Sequence, residues 1–275
     1  MEPVARKLER LTGMDSEGSG LITRLSEDET LPEAIRETFA RLADRTAEEI
    51  GEREASQAAL AERDRRLANV ALRQEYQGSC GLPDSRERQT LESFRPSANW
   101  PNQLDAWRLA KRIVDLAPEV PKGVCFYGKP GRGKSHLLRA VVWGCVCQES
   151  PVRAFYVNCL SLEAALKAER RSSEPGLMDR ALRASVLGLD DIEKAWAGDA
   201  AVWVRVWIKE LLDAIDAAGS PVVIATSNAG LDRHREELGE QDWLFGRLVK
   251  LVDFQEVDGE NWRLREIEDG PWWTR

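Results

Sequence analysis

The sequence has little of what several classes of protein require. Its two histidines are His136 and His234, and none of its five cysteines forms a CxxC pair. Structural zinc sites need four Cys or His ligands at characteristic spacings, so no zinc module is expected. No apolar run approaches the roughly 18 residues that cross a bilayer, and the N-terminus lacks the apolar core of a signal peptide. We therefore expect a cytoplasmic protein without a membrane span.

Positive charge is not in excess either. The 275 residues carry a formal net charge of −8, with a sequence pI near 5.1. Bulk electrostatic attraction to nucleic acid is therefore excluded, and any contact with DNA must come from a local basic patch.

The first 80 residues predict an all-helical region. Apolar side chains recur at helical spacing from residue 31, and a polar, alanine-rich helix follows. Its thin apolar seam either lies in solvent or docks on a partner; both readings stay open. The segment GMDSEGSG (13–20) predicts a flexible break, and GSCGLPDS (78–85) predicts a domain boundary. We accordingly predict a helical partner-binding region and linker over 1–80 and a second domain over 81–275. The apolar positions that carry these helices are Leu31, Ile35, Phe39, Leu42, Ala59, Leu67 and Val70.

Beyond residue 85, short β-rich apolar runs alternate with helical patterns. Such alternation predicts an α/β fold with a central parallel sheet covered by helices on both faces, a three-layer arrangement. The predicted strands are GVCFYG (123–128), RAFYVN (153–158), ASVLGLDD (184–191) and PVVIATSN (221–228).

The first of these strands runs into a glycine-rich turn. The turn, GKPGRGKS (128–135), fits G-x-x-x-x-G-K-[ST] and opens a helix. Glycines let backbone N–H groups converge on phosphate oxygens, and the helix N-terminus adds its positive dipole end. Lys134 can reach the β- and γ-phosphates, and the Ser135 hydroxyl can ligate Mg²⁺. We predict an ATP and Mg²⁺ site whose nucleotide-binding residues are Gly128, Lys129, Pro130, Gly131, Arg132, Gly133, Lys134, Ser135 and His136.

Two later strands end in polar side chains. Asp190 and Asp191 follow the third predicted strand, and Asn228 follows the fourth, after Thr226 and Ser227. An acid at the end of a buried strand is how phosphate-loop ATPases hold Mg²⁺, so Asp190 is predicted to be a metal ligand. Asp191 is predicted to orient the attacking water, and Asn228 to contact that water or the γ-phosphate.

These motifs together resemble the AAA+ ATPases of the DnaC/DnaI helicase-loader and IstB transposition-helper group. The resemblance covers about residues 79–265 and is carried by GVCFYGKPGRGKSHLLRAV, VLGLDDIEK, VVIATSN and FGRLVKLVDFQEVDGENWR. Upstream, CGLPDSRERQTLESF is similar to the lead-in of the loaders. The chain ends about a dozen residues past Arg263, too soon for a full helical lid, and a truncated lid is a trait of this group.

The resemblance implies further roles for single residues. Asn228 would be the sensor 1 residue, and Arg247 would be the arginine finger that reaches the ATP site of a neighbouring subunit. Arg263 would be the sensor 2 arginine that contacts the nucleotide, although Asn261 replaces a serine of the family pattern. DnaI-type loaders carry an N-terminal zinc module, whereas residues 1–79 contain no Cys or His, so a partner-binding region here would be metal-free.

Basic and aromatic clusters offer candidates for contact with single-stranded DNA and with protein. Lys167, Arg170 and Arg171 follow the second strand and form either a DNA-contacting patch or a solvated helix end. Trp203 and Trp207 lie at i, i+4 spacing and either widen a core contact or form an exposed aromatic patch.

The reading that accounts for most of these features is an ATP-dependent helicase loader. It would bind a replicative, hexameric helicase, single-stranded DNA and further copies of itself through the ATPase domain. An IstB-like ATPase that assists a transposase shares the same motor and is the first alternative. A phosphate-loop kinase of small metabolites is a more distant one.

Overall fold

The computed structural model describes residues 16–83, 89–169, 176–195, 202–230 and 243–262. The chain divides into two compact units between Ala68 and Asn69. Among the described residues, no helix is both long and apolar enough to cross a membrane.

The first unit is helical. It contains helix α1 (Ser16–Glu27) and most of the 47-residue helix α2 (Glu33–Ser79), whose residues 69–79 belong to the second unit. The predicted break at 13–20 is wrong for its described part, because residues 16–20 belong to α1. Ile22 is fully buried, and this apolar anchor offsets the weak helix propensity of the two glycines in the segment. In α2, Leu67 and Val70 remain 59% and 48% exposed.

The second unit contains a parallel sheet, as the sequence predicts, and this sheet has five strands. Its order is β2-β3-β4-β1-β5, and every neighbouring pair is parallel. The fifth strand, at the edge beside β1, was not predicted. The strands are β1 (Gly123–Tyr127), β2 (Ala154–Asn158), β3 (Val186–Asp190), β4 (Val222–Ser227) and β5 (Val252–Glu256).

Helices cover both faces of this sheet, so the predicted three-layer α/β class is confirmed. Alternate strand residues point to opposite faces, which gives each layer its own apolar core. Cys125 and Leu187 lie in the core on one face, and Val124 and Val186 in the core on the other. The helices are α3 (Pro101–Leu116), α4 (Lys134–Cys147), α5 (Leu162–Glu169), α6 (Leu177–Arg183), α7 (Val202–Ala218) and α8 (Trp243–Leu251), with short 3₁₀ helices at Cys159–Ser161 and Ile192–Ala195.

The parallel register brings the polar strand ends to one edge of the sheet. Asp190 pairs with Asn158 across β2 and β3, and Tyr127 pairs with Ser227 across β1 and β4. The turn after β1 starts from the same edge. In open α/β sheets this carboxyl edge is where ligands bind.

Candidate nucleotide-binding site

The turn between β1 and α4 depends on three glycines with positive φ. Gly128, Gly131 and Gly133 have φ values of 141°, 79° and 94°, in or near backbone regions that other residues rarely adopt. Gly133 immediately precedes the first residue of the 14-residue helix α4. The turn therefore places backbone N–H groups and a helix N-terminus at one point, which is the geometry that binds phosphate.

A C-terminal segment packs across this turn. The Val257 N–H donates to the Tyr127 carbonyl at 2.7 Å, and the Trp262 N–H donates to the Gly131 carbonyl at 3.0 Å. A Cβ on Gly131 would come within 1.9 Å of Asn261 Oδ1, so a side chain at this position would displace the Asn261 amide. Asn261, the departure from the family pattern, is thus a neighbour of the phosphate loop.

Lys134 is buried, at 5% exposure, and its ammonium is held by the turn itself. Nζ donates to the carbonyls of Gly128 at 2.7 Å and Lys129 at 3.0 Å, and to Asn228 Oδ1 at 3.0 Å. These acceptors fix the charge beside the turn. They also link the loop after β1 to the end of β4.

Asp190 is 1% exposed and lies in a dense hydrogen-bond network. Its Oδ1 accepts from the Thr226 hydroxyl at 2.6 Å. Its Oδ2 accepts from the Tyr156 hydroxyl at 2.7 Å and from the Arg139 guanidinium at 3.2 Å. A buried carboxylate needs such partners, because an unpaired buried charge is very costly. Burial, followed by the charge of Asp190, raises the pKa of Tyr156, so the hydroxyl stays protonated and donates.

Two more acids follow Asp190 and face Asn228. Asp191 has φ +54°, and its N–H donates to Thr226 Oγ1 at 2.8 Å. Glu193 Oε1 accepts from Asn228 Nδ2 at 2.6 Å, while the contact from Asn228 Nδ2 to Asp191 Oδ1 is longer, at 3.5 Å. Burial, together with the charges of Asp190 and Glu193, raises the pKa of Asp191.

The opposite wall of the site is formed by His136 and the segment before α3. His136 Nε2 lies 2.9 Å from the Thr90 carbonyl and 3.0 Å from Ser93 Oγ, and its ring meets Phe94 edge to face. Burial lowers the pKa of His136, which keeps the imidazole neutral at pH 7.

These walls enclose a cavity of about 530 Å³, which is within the size range of ligand pockets. Lys134, Asp190, Asp191 and Asn228, predicted from three separate motifs, all line it. The remaining lining residues are Gln89, Ser93, Phe94, Arg95, Pro130, Gly131, Gly133, Ser135, His136, Arg139 and Trp262.

Other residues predicted from the sequence lie elsewhere. Arg247 of α8 pairs with Asp213 of α7 at 2.8 Å and with Asp216, away from the cavity of its own chain. Lys167 pairs with Glu163 at 2.6 Å, and its ammonium lies 5.8 Å from the centre of the Trp203 ring. Trp207 is 9% exposed and Trp203 packs against the same core, so the core interpretation of this pair is confirmed. Arg170, Arg171 and Arg263 lie outside the described residues.

Sequence reasoning missed several side chains of the site, among them Ser93, Arg95 and Trp262 of the cavity lining. Arg139 lies in an apolar helix pattern and Tyr156 in an apolar strand pattern. Glu193 follows the paired aspartates, and Gln89 belongs to no recognised motif. Arg139 could have been noticed as a cation inside the apolar stretch of α4.

The described residues include no group of three or more His, Cys, Asp or Glu arranged to hold a metal ion.

Comparison with known proteins finds a match to one family over part of this chain. Residues 124–250 match the AAA family, the "ATPase family associated with various cellular activities". No curated protein sequence matches the chain. The crystal structure of the DnaC helicase loader is similar over 62% of this chain and 97% of its own, at 20% identity and a TM-score of 0.52. The DnaI structure is similar over 66% and 94%, at 24% identity and a TM-score of 0.52. AMPPCP-bound DnaA from Aquifex aeolicus is similar over 67% of this chain and 55% of its own, at 16% identity and a TM-score of 0.50.

Proposed function

We propose that this chain, which has the fold of DnaC and DnaI, is an AAA+ ATPase that loads a replicative helicase onto single-stranded DNA. The observation that carries the proposal is the convergence of Lys134, Asp190 and Asn228 on one cavity beside a glycine turn. Two of the similar structures are helicase-loader and DnaI proteins, and this chain covers nearly their whole length.

The residues present fit ATP with Mg²⁺. Positive φ at Gly131 and Gly133 and the N-terminus of α4 suit the backbone to a phosphate chain. Ser135 and Asp190 both line the cavity and would hold Mg²⁺, an ion usually bound through one or two protein ligands plus substrate phosphates. When bound, Mg²⁺ neutralises charge that develops on the phosphate oxygens.

Lys134 would change partners when ATP binds. An ammonium has three N–H donors, and in this structure it donates to two loop carbonyls and to Asn228. To contact a phosphate it must release at least one of them. Asn228 is the acceptor that belongs to another element, so the exchange would carry a signal from the nucleotide to the end of β4.

Hydrolysis would use the polar strand ends. Asp191 would orient the attacking water, and Asn228 would contact the γ-phosphate. Arg247 would complete the site of a neighbouring subunit, because it lies away from the cavity of its own chain. The helical N-terminal region would bind the helicase, and Lys167 with Arg170 and Arg171 would contact DNA.

The nucleotide claim is tested by Lys134→Ala. Removing the ammonium should lower the affinity for a fluorescent ATP analogue below detection, because the phosphates lose their principal cation in the cavity. Lys122→Ala is the matched control, since Lys122 pairs with Asp253 outside the cavity. Unchanged ATP affinity in Lys134→Ala refutes the site.

The loader claim is tested with the full chain and two candidate partners. ATPase rate is measured with and without single-stranded DNA, and with a replicative helicase or a transposase. Stimulation and co-purification with the helicase support loading. Binding to the transposase alone would instead establish the IstB-like alternative.

A further inference from the structure

Glu193 is an acid for which the sequence motifs give no role. Its Oε1 accepts two hydrogen bonds from Asn228, at 2.6 Å from Nδ2 and at 3.2 Å from the backbone N–H. Its Oε2 is buried and has no hydrogen-bond partner among the described residues. A buried carboxylate oxygen without a hydrogen-bond partner costs free energy, so Glu193 is not simply a solvated surface acid.

The turn after β3 directs Glu193 back toward β4. Asp191 adopts a left-handed conformation and is fixed by its N–H bond to Thr226. The 3₁₀ helix Ile192–Ala195 follows at once, and its first residue, Ile192, is fully buried. Aspartate tolerates a left-handed conformation better than most residues, which is what the reversal of the chain requires.

This contact determines how the Asn228 amide is oriented. A carboxylate only accepts hydrogen bonds, so it must receive the NH₂ group of Asn228. The amide oxygen then points to Lys134, whose Nζ donates to it at 3.0 Å. Glu193, Asn228 and Lys134 thereby form a continuous chain from the turn after β3 to the phosphate loop.

We propose that Glu193 is a positioning residue for ATP hydrolysis, which acts by holding the Asn228 amide in register with Lys134. The inference rests on the proposed function. Asp190, Asp191 and Asn228 line the cavity, whereas Glu193 does not, so it acts through Asn228 and not on the nucleotide. The acid serves here as an acceptor, and its charge is not consumed in a proton transfer.

Two substitutions separate positioning from proton transfer. Glu193→Gln keeps an acceptor oxygen at the same distance along the side chain, whereas Glu193→Ala removes it. We expect Glu193→Ala to lower kcat roughly 10- to 100-fold, as small misplacements of reacting groups do, with KM for ATP changed by less than about threefold. Glu193→Gln should stay within about threefold of the wild type. Glu119→Ala, an exposed acid, is the control.

Two kinetic outcomes overturn the inference. If Glu193→Gln is as inactive as Glu193→Ala, the charge itself is needed and Glu193 is a base. If Glu193→Ala hydrolyses ATP like the wild type, Asn228 does not depend on it. The double variant Glu193→Ala/Asn228→Ala should be no slower than Asn228→Ala alone, because both changes remove one unit.

A second readout does not depend on activity. The side-chain amide resonance of Asn228, assigned by its loss in Asn228→Ala, is measured by NMR in the nucleotide-free full chain. It should shift in Glu193→Ala and move much less in Glu193→Gln. A wild type that neither binds nor hydrolyses ATP defeats the proposed function, while an unmoved resonance in Glu193→Ala defeats the positioning inference.

Discussion

At the scale of single residues, the site concentrates negative charge where ATP would add more. Asp191 is affected most clearly, because it is partly buried beside Asp190 and Glu193, and these effects raise its pKa. Lys134 and Lys194 act in the opposite direction and only partly compensate. Function is the reason to keep such an arrangement, because ionised acids packed together oppose folding.

Asp191→Asn is therefore expected to stabilise the protein at neutral pH while it slows ATP hydrolysis. The raised pKa means that the folded state favours protonated Asp191. The stability that this protonation contributes is fully present below the ordinary Asp pKa of 3.8, and it is lost as pH rises through the folded-state pKa. The free energy of unfolding of the variant should exceed that of the wild type at pH 7, with the gap narrowing toward pH 4.

Urea unfolding at several pH values measures this gap. Asn tolerates the left-handed backbone at this position, so the comparison isolates the charge. Asp253→Asn, an exposed acid on β5, should show no comparable gain. A variant that is less stable than the wild type at pH 7 and alike at pH 4 would contradict the raised pKa.

The sequence predicted the site residues that belong to spaced motifs or to strand ends. It missed the site residues that reach the site only through the packing of distant elements. Lys134 and Asn228 follow from strand ends and a glycine pattern. Tyr156 and Arg139 reach Asp190 from a strand and a helix whose patterns indicate only core. Their roles depend on the order of strands β2 and β3, which no local pattern specifies.

At the scale of elements, helix α7 shows why the core stripe was predictable. Val204, Ile208, Leu211 and Ile215 repeat at helical spacing, and each is at most 3% exposed. Strand β5 was missed because exposed or half-buried polar residues interrupt its apolar ones. It also lies at the edge of the sheet. A short edge strand carries a weaker signal than a continuous buried run.

Leu211→Ala should lower the free energy of unfolding by about 2–5 kcal/mol. Leu211 is fully buried in the core between α7 and the sheet, and the truncation leaves a cavity there. Val206→Ala on the same helix is the control, because Val206 is 45% exposed and should change stability by roughly 0.5 kcal/mol or less. Chemical unfolding measures both, and equal effects would contradict the assigned face of α7.

At the scale of the whole molecule, Arg247 is the cation that we propose to complete the ATP site of a neighbouring subunit. Arg247 stands on α8 with 42% of its side chain exposed. Asp213 and Asp216 hold it, and Lys250 shares Asp216 at 2.5 Å. A guanidinium held by two acids keeps a defined orientation, which suits a group that acts on a neighbouring subunit.

Arg247→Ala and Lys134→Ala should therefore each be inactive alone and regain activity when mixed. The first variant keeps its ATP cavity and lacks the arginine, whereas the second keeps the arginine and cannot bind ATP. An arginine finger is worth roughly 10³-fold or more in rate, so a shared site restored in the mixture should stand well above either variant. Mixing either variant with the double variant Arg247→Ala/Lys134→Ala should give no recovery. The mixture with Arg247→Ala contains no Arg247, and the mixture with Lys134→Ala contains no intact ATP cavity.

Asp216 keeps Lys250 when Arg247 is removed, so thermal unfolding of Arg247→Ala should stay near that of the wild type. Full activity of Arg247→Ala by itself, or no recovery on mixing, would contradict the proposed role in a neighbouring subunit. Arg247 would then serve only in its ion pairs with α7.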